Sequence, residues 1–401
     1  MKNLLAIIFA ITLLFVTGCG DDDVDSKSAE NKAVSSESKI EDIDWDNVPH
    51  FNNQLDLVNH IRQTRKTLET TLPVVLTDGF NPDINDISFY SSAWYIEYTT
   101  SRKNNSSKMN VLYKVRNYPG ERVAYAYLHN DTSFLTDDEQ QLYDVAVEIV
   151  DEANDFAANH SSPALYKQLY IHDAIIERTS YYTENPQPSS ARFQTAFGAL
   201  IDGKANCQGY TDAFYMLGTM CGLDVDKING YTNKESHVWN TITFGDGKYY
   251  FVDLTWDDAS FTFADTGEYN GYIYFNAPTD VAAATHKWSK KYAPNMVKTP
   301  DGRYFYYTTE FTSTGGKYFG AHSTTAQNAL DYIARRICSD GYQLSWVVAP
   351  YDERYKNASN AVHYLTDSVL PNRYGWSGNV KMNVTCRGKY MFFTTDATPS
   401  R

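Results

Sequence analysis

The stretch Gly203-Lys204-Ala205-Asn206-Cys207-Gln208-Gly209-Tyr210 decides how the chain is read. Asn206 is a strong N-cap residue, because its short side-chain carbonyl accepts the free N–H groups of a first helical turn. Beyond it, Tyr210, Ala213, Phe214, Leu217 and Cys221 recur at helical spacing, and Gly222 supplies a stop. The pattern predicts a helix with one buried face and with Cys207 in its first turn. The positive end of the helix dipole favours thiolate over thiol there. Cys221 lies fourteen residues further on, roughly 21 Å along the axis at the usual rise per residue. The two sulfurs cannot bond within this helix, and Cys221 reads as an inert core thiol.

A thiolate nucleophile needs a base within reach and a group that orients the base. Downstream, His237-Val238-Trp239-Asn240-Thr241-Ile242-Thr243-Phe244 reads as a strand, Gly245-Asp246-Gly247 as a turn, and Lys248 to Trp256 as the returning strand. Parity links the loop to the chemistry. A two-residue loop would set Asp253 against Asn240 and turn His237 to the other face. A three-residue loop, Gly245–Gly247, sets Asp253 against Trp239 and leaves His237 diagonal to it on the same face. Taken singly, each residue also has a structural reading: a buried thiol, a satisfied histidine, a strand end. The Cys/His/Asp spacing matches no compact zinc motif.

The combined pattern resembles the transglutaminase-like superfamily of papain-type thiol enzymes. The residues that carry the resemblance are Gly203 to Tyr210, Ala213-Phe214, Leu217, Cys221-Gly222-Leu223, Gly230, His237-Val238-Trp239-Asn240 and Tyr250-Phe251-Val252-Asp253-Leu254-Thr255-Trp256-Asp257-Asp258. Lys167 to Asp173 and Tyr181-Tyr182 upstream, and Tyr274-Phe275-Asn276 and His286 downstream, fit the same group. Asn206 stands where members often carry a small apolar residue. The resemblance covers residues 163–288. It implies an α+β fold with a papain-like core, in which a nucleophile at a helix N-terminus packs on an antiparallel sheet carrying His and Asp. It implies Cys207 as nucleophile, His237 as general base and acid, and Asp253 as the orienting carboxylate. The chemistry would be acyl transfer through a thioester, resolved by water (a cysteine peptidase or amidase) or by an amine (a transglutaminase-type acyltransferase). Gln208, Gln194 and Tyr182 are candidate oxyanion or substrate donors. Trp239 and Trp256 read as packing around the His–Asp pair more than as substrate contacts, and His172 as structural. The other function class is a non-catalytic peptide- or wall-binding module that retains the fold; a third is an anchored structural protein.

The chain has 401 residues with 35 Lys+Arg against 49 Asp+Glu, a net charge of −14. That balance argues against nucleic acid as partner, because phosphate binding needs a basic face. Half of the acidity is local, since residues 19–50 carry a net −7. No calcium loop occurs, and neither metal nor cofactor is expected. Leu4 to Val16 is an apolar run too short to span a bilayer and reads as the core of a signal peptide. It ends in Val16-Thr17-Gly18-Cys19, which resembles a bacterial lipobox and implies lipidation at Cys19. Gly20-Asp21-Asp22-Asp23 resembles the surface-export signal of some lipoproteins. The expectation is an exported protein, anchored to the bacterial cell envelope by a membrane-inserted lipid, with peptide, protein or cell-wall peptide as substrate.

The domain order expected is a signal peptide at 1–18, an acidic tether at 19–50, an N-terminal α+β region at 51–150, the transglutaminase-like domain at 151–295 and a C-terminal α+β domain at 296–401. Periodicity predicts helices over Leu55–Leu72, Asp137–Asn159, Ser162–Arg178 and Ala326–Cys338. It predicts strands over Ile87–Thr99, Lys108–Arg116, Val123–His129, Tyr304–Thr309, Gln343–Val348, Asn379–Cys386 and Lys389–Thr395. Cys338 and Cys386 are either a bridge in an oxidising compartment or two free thiols.

Overall fold

The structure, a computed structural model, describes residues 9–11, 43–101, 106–183, 191–232, 235–258, 272–293, 304–306, 320–322, 325–339, 346–387 and 390–399. Cys19, the acidic run after it and most of the tether lie outside the described residues. The fold is mixed α+β. Backbone contacts divide it into two compact units, Met1–Trp239 with Trp288–Pro294, and Asn240–Lys287 with Asn295–Arg401.

In the first unit, β1 (Phe9–Ile11), β4 (Tyr95–Ser101), β5 (Met109–Arg116), β3 (Thr71–Leu76) and β2 (His50–Phe51) form one sheet in the order β1-β4-β5-β3-β2. Leu57, Val58 and Ile61 of α1 (Gln54–Arg65) share a core with Leu72, Val74, Leu76, Val111 and Tyr113 of that sheet. Helix α1 is shorter than the periodicity suggested. Asn53 caps its start, accepting from Asp56 N at 3.0 Å, and a left-handed Leu68 (φ 58°) turns the chain before Leu72 enters β3. Ile87–Thr99 is not one strand. Asp83 caps a helix, α2 (Ile84–Ser91), which a left-handed Ser92 ends before β4 begins.

Val123–His129, expected as a strand, is the second half of α3 (Pro119–His129). Pro119 suits the first helical position, and the Glu121 carboxylate reaches back to the Tyr118 N–H at 3.0 Å. The apolar run that looked like a strand supplies the helix's buried side through Val123, Ala124 and Ala126. The expected helices α4 (Asp137–Ala157) and α5 (Pro163–Arg178) follow. Next come β6 (Ser180–Tyr181), α6 (Ala196–Leu200), β7 (Lys204–Ala205), α7 (Cys207–Met220), β8 (Asp224–Thr232) and β9 (Glu235–Thr243).

Four buried ionisable side chains lie around α7. Lys227 of β8 reaches Asp212 at 2.8 Å and Glu121 at 3.1 Å, and Arg65 also pairs with Glu121. The same Asp212 carboxylate accepts the N–H groups of Gly120 (3.1 Å) and Ala196 (2.9 Å), in the first turns of α3 and α6. One side chain of α7 therefore satisfies N–H groups of two other helices, donors that would otherwise be buried unpaired. Burial pulls the Glu121 pKa up, and the two cations more than reverse this, so it is lowered on balance. Glycine at 120 permits this close approach: a Cβ would meet the Asp212 carboxylate at 2.7 Å.

In the second unit, the end of β9 pairs with β10 (Tyr250–Val252), and β10 with β11 (Phe275–Ala277). Then follow α9 (Thr279–Ala282) and β12 (His286–Lys287). The expected returning strand Lys248–Trp256 is cut to β10, because Asp253 leaves the strand and caps a single helical turn, α8 (Leu254–Asp257). Toward the C-terminus, β13 (Gly320–His322), β14 (Trp346–Pro350), β16 (Tyr390–Pro399) and β15 (Gly378–Arg387) form a sheet in that order. Ala329, Leu330, Ile333 and Ile337 of α10 (Ala326–Ser339) share its core with Val347, Met391 and Phe393. Of the expected strand Tyr304–Thr309, residues 304–306 are not strand and 307–309 lie outside the described residues. Among the described residues, Cys207, Cys221, Cys338 and Cys386 form no disulfide, so Cys338 and Cys386 are not bridged.

Candidate active site

The path into Cys207 is built from backbone. Gly203, at φ 71°, turns the chain into β7, which pairs in parallel with β6. The Tyr182 N–H donates to Ala205 O at 2.8 Å and the Asn206 N–H to Phe193 O at 2.9 Å. Asn206 then caps α7: its Oδ1 accepts the N–H of Gln208 at 3.0 Å and, more loosely, that of Gly209 at 3.4 Å. Cys207 is the first residue of α7 and is fully buried. Gly209 admits the preceding turn, since a Cβ would meet Ala205 Cβ and Phe193 O at 2.7 Å.

His237 lies in β9 and is buried. Thr211, one turn beyond Cys207, donates its hydroxyl to Val238 O at 3.2 Å. Residues i and i+4 share a helix face, so the side of α7 that carries the thiol is bonded to the strand beside His237. The His237 ring lies 5.9 Å from Trp239, and Trp239 meets Trp288 edge-on at 6.5 Å. Tyr182 stacks on Phe193 at 4.7 Å, and Gln194 closes the short turn Ala191–Gln194. Gln208 is buried behind the cap.

The carboxylate is positioned in the second unit. Val252 pairs with Asn240 and Tyr250 with Ile242, the register of the three-residue loop Gly245–Gly247. Asp253 Oδ1 caps α8 by accepting the Trp256 N–H at 3.3 Å. Its Oδ2 lies 2.9 Å from His286 Nε2. Trp256 is half-buried and lies edge-on to His286 at 4.9 Å, so its ring packs on the Asp253–His286 pair. His172 is buried on α5 with Nδ1 3.0 Å from Asp173, a setting that suits a structural role.

Sequence reasoning missed three of these features. Thr211 was one more polar residue in a helix. His286 carried no sign of its partner, which lies 33 positions away. Asp212 gave no hint of its two helix N-termini. Only a hydroxyl on the same face as the cysteine could have pointed to Thr211.

Residues 151–254 match the family profile described as the transglutaminase-like superfamily. The core of this chain is transglutaminase-like. No curated protein matches it. Among solved structures, the chain is similar to a TGase crystal structure at 15% identity and TM-score 0.26, covering 55% of this chain and 60% of the other. It is similar to the periplasmic domain of TgpA from Pseudomonas aeruginosa at 14% identity and TM-score 0.24, covering 42% and 59%. The chain thus spans about 60% of the length of these solved structures.

Proposed function

We propose that the protein is a lipid-anchored thiol enzyme of the cell envelope that acts on peptide or protein amides by acyl transfer. Cys207 attacks the amide carbonyl and His237 takes the thiol proton and returns it to the leaving amine. Asp253 orients the imidazole, and water or an amine resolves the thioester. The observation that carries this reading is Cys207 at the first position of a capped helix, whose same face is bonded to the strand of His237. Gln208, Gln194 and Tyr182 are the side chains to test as oxyanion donors.

The test is site-resolved alkylation. Iodoacetamide is applied to the mature protein across pH, and each cysteine is read by peptide mass spectrometry. Cys207 is expected to react at neutral pH, and His237→Ala to slow it. Cys221 should stay silent, since burial pushes its thiol up to about 11 against the smaller opposing pull of Lys167. Cys338 is exposed and serves as the comparison thiol, its pKa raised by partial desolvation. A Cys207 that reacts no faster than Cys338 and ignores His237→Ala would support the second reading, a binding module, which the full burial of Cys207 favours. Anchoring is tested by Cys19→Ser, which should release the protein from membranes.

A further inference from the structure

The carboxylate assigned to orient the base has a histidine of its own. His286 is completely buried, with Nε2 2.9 Å from Asp253 Oδ2. Its Nδ1 lies 2.8 Å from Thr285 Oγ1, and that oxygen lies 2.8 Å from the Tyr274 hydroxyl. Every donor in this chain has a consistent assignment. Tyr274 O–H donates to Thr285, Thr285 O–H to His286 Nδ1, and His286 Nε2–H to Asp253. The competing acceptor for Thr285, Ala282 O, is further away at 3.4 Å. In this assignment Nε2 carries the proton that His286 offers to the carboxylate.

The ring cannot swing away. Phe251, Trp256 and Tyr274 surround it with centroids at 4.9, 4.9 and 5.1 Å, all edge-on. The main chain of Tyr274 also holds both ends of α8: its carbonyl accepts the Asp253 N–H at 3.3 Å, and its N–H donates to the Asp257 carboxylate Oδ1 at 2.9 Å. The Asp253 carboxylate is thus fastened at both oxygens, by Trp256 N–H on Oδ1 and by His286 on Oδ2. Two anchors fix the plane of the group.

We infer that His286, fed by Thr285 and Tyr274, is a positioning residue that locks the Asp253 carboxylate in the orientation from which it can stabilise an imidazolium. The inference rests on the roles proposed above for Cys207, His237 and Asp253. No bond is made or broken at His286; its proton stays on Nε2.

The experiment compares wild type, His286→Gln, His286→Phe, Thr285→Val and His237→Ala in the full mature protein. The readout is the pH dependence of iodoacetamide alkylation at Cys207. Gln keeps an N–H at comparable reach, whereas Phe keeps the ring and loses the donor. A misdirected carboxylate weakens the thiolate–imidazolium pair, so His286→Phe is expected to slow alkylation near pH 6 by about 10-fold, one unit of thiol pKa. His286→Gln should stay within about two-fold of wild type, since it keeps the N–H donor. A role limited to packing would give the opposite order, with Phe tolerated and Gln damaging, and would overturn the inference. So would an unchanged profile in His286→Phe while His237→Ala still slows the reaction; the proposed function would then stand without it. A wild-type Cys207 indifferent to His237→Ala overturns both. If His286→Phe opens the fold, seen as alkylation of Cys221, Thr285→Val decides. It removes the hydroxyl at nearly constant shape and should slow Cys207 by about three-fold, since the hydrogen bond that sets the tautomer is lost; no change overturns the inference.

Discussion

Cys207 takes its setting from the residues on either side of it. Asn206 spends its side chain on the two N–H groups that follow Cys207, and Thr211 bonds the next turn to the His237 strand. On the roles proposed above, Cys207→Ala and His237→Ala should each lower turnover by at least about a thousand-fold without unfolding the protein, while Asp253→Asn should leave more activity, because an orienting group contributes less than nucleophile or base. Circular dichroism beside an amidase or transamidation assay checks this. Thr211→Val removes one hydroxyl at nearly constant volume. It should cost about 1 kcal/mol of stability in a urea titration and slow alkylation of Cys207, since the thiol face of α7 would lose its bond to β9. At this scale the cap and the cysteine were legible, because Asn followed by a helical stripe is a local signal. Thr211 was not, because its partner is a backbone carbonyl, which no side-chain pattern announces.

Among the elements, the long amphipathic helices α4, α5, α7 and α10 were legible from their stripes. The errors cluster in short elements where a tertiary partner decides. Val123–His129 is apolar and aromatic enough for a strand, yet Pro119 and Glu121 start a helix whose Gly120 N–H is held by Asp212. The returning strand stopped short because Asp253 found a capping role three residues before Trp256. Loop parity left two registers open, and the pairing of Val252 with Asn240 is that of the three-residue loop. Gly120→Ala tests the close approach of α3 to α7. With Cβ 2.7 Å from the Asp212 carboxylate, the substitution should destabilise the protein by about 2–3 kcal/mol, the usual penalty of overpacking. A lower urea midpoint with unchanged slope is the expected result.

For the whole molecule, several groups that titrate in alkali are buried. Burial raises Cys221 to about 11 and moves the Tyr113, Tyr118 and Tyr215 hydroxyls in the same direction. A group whose folded pKa exceeds its unfolded value stabilises fully below the unfolded pKa, and this is lost as pH rises through the folded one. The melting temperature should therefore fall between about pH 9 and pH 11, with Cys221 alone accounting for roughly 2–3 kcal/mol. Cys221→Ala, compared with its own value at neutral pH, should flatten that fall. A slope identical to that of wild type would show that the thiol does not take part.

The carboxylate of Asp212 also sets a limit on dissection. The family match begins at residue 151, but Asp212 accepts from Gly120, and its partner Lys227 shares Glu121 with Arg65. A fragment cut at 151 would carry Asp212 and Lys227 into a surface made for partners left behind, and would uncover the flank of α7. The smallest piece able to fold by itself is therefore larger than the piece that evolution makes recognisable. Anyone trimming the protein should start upstream of Arg65.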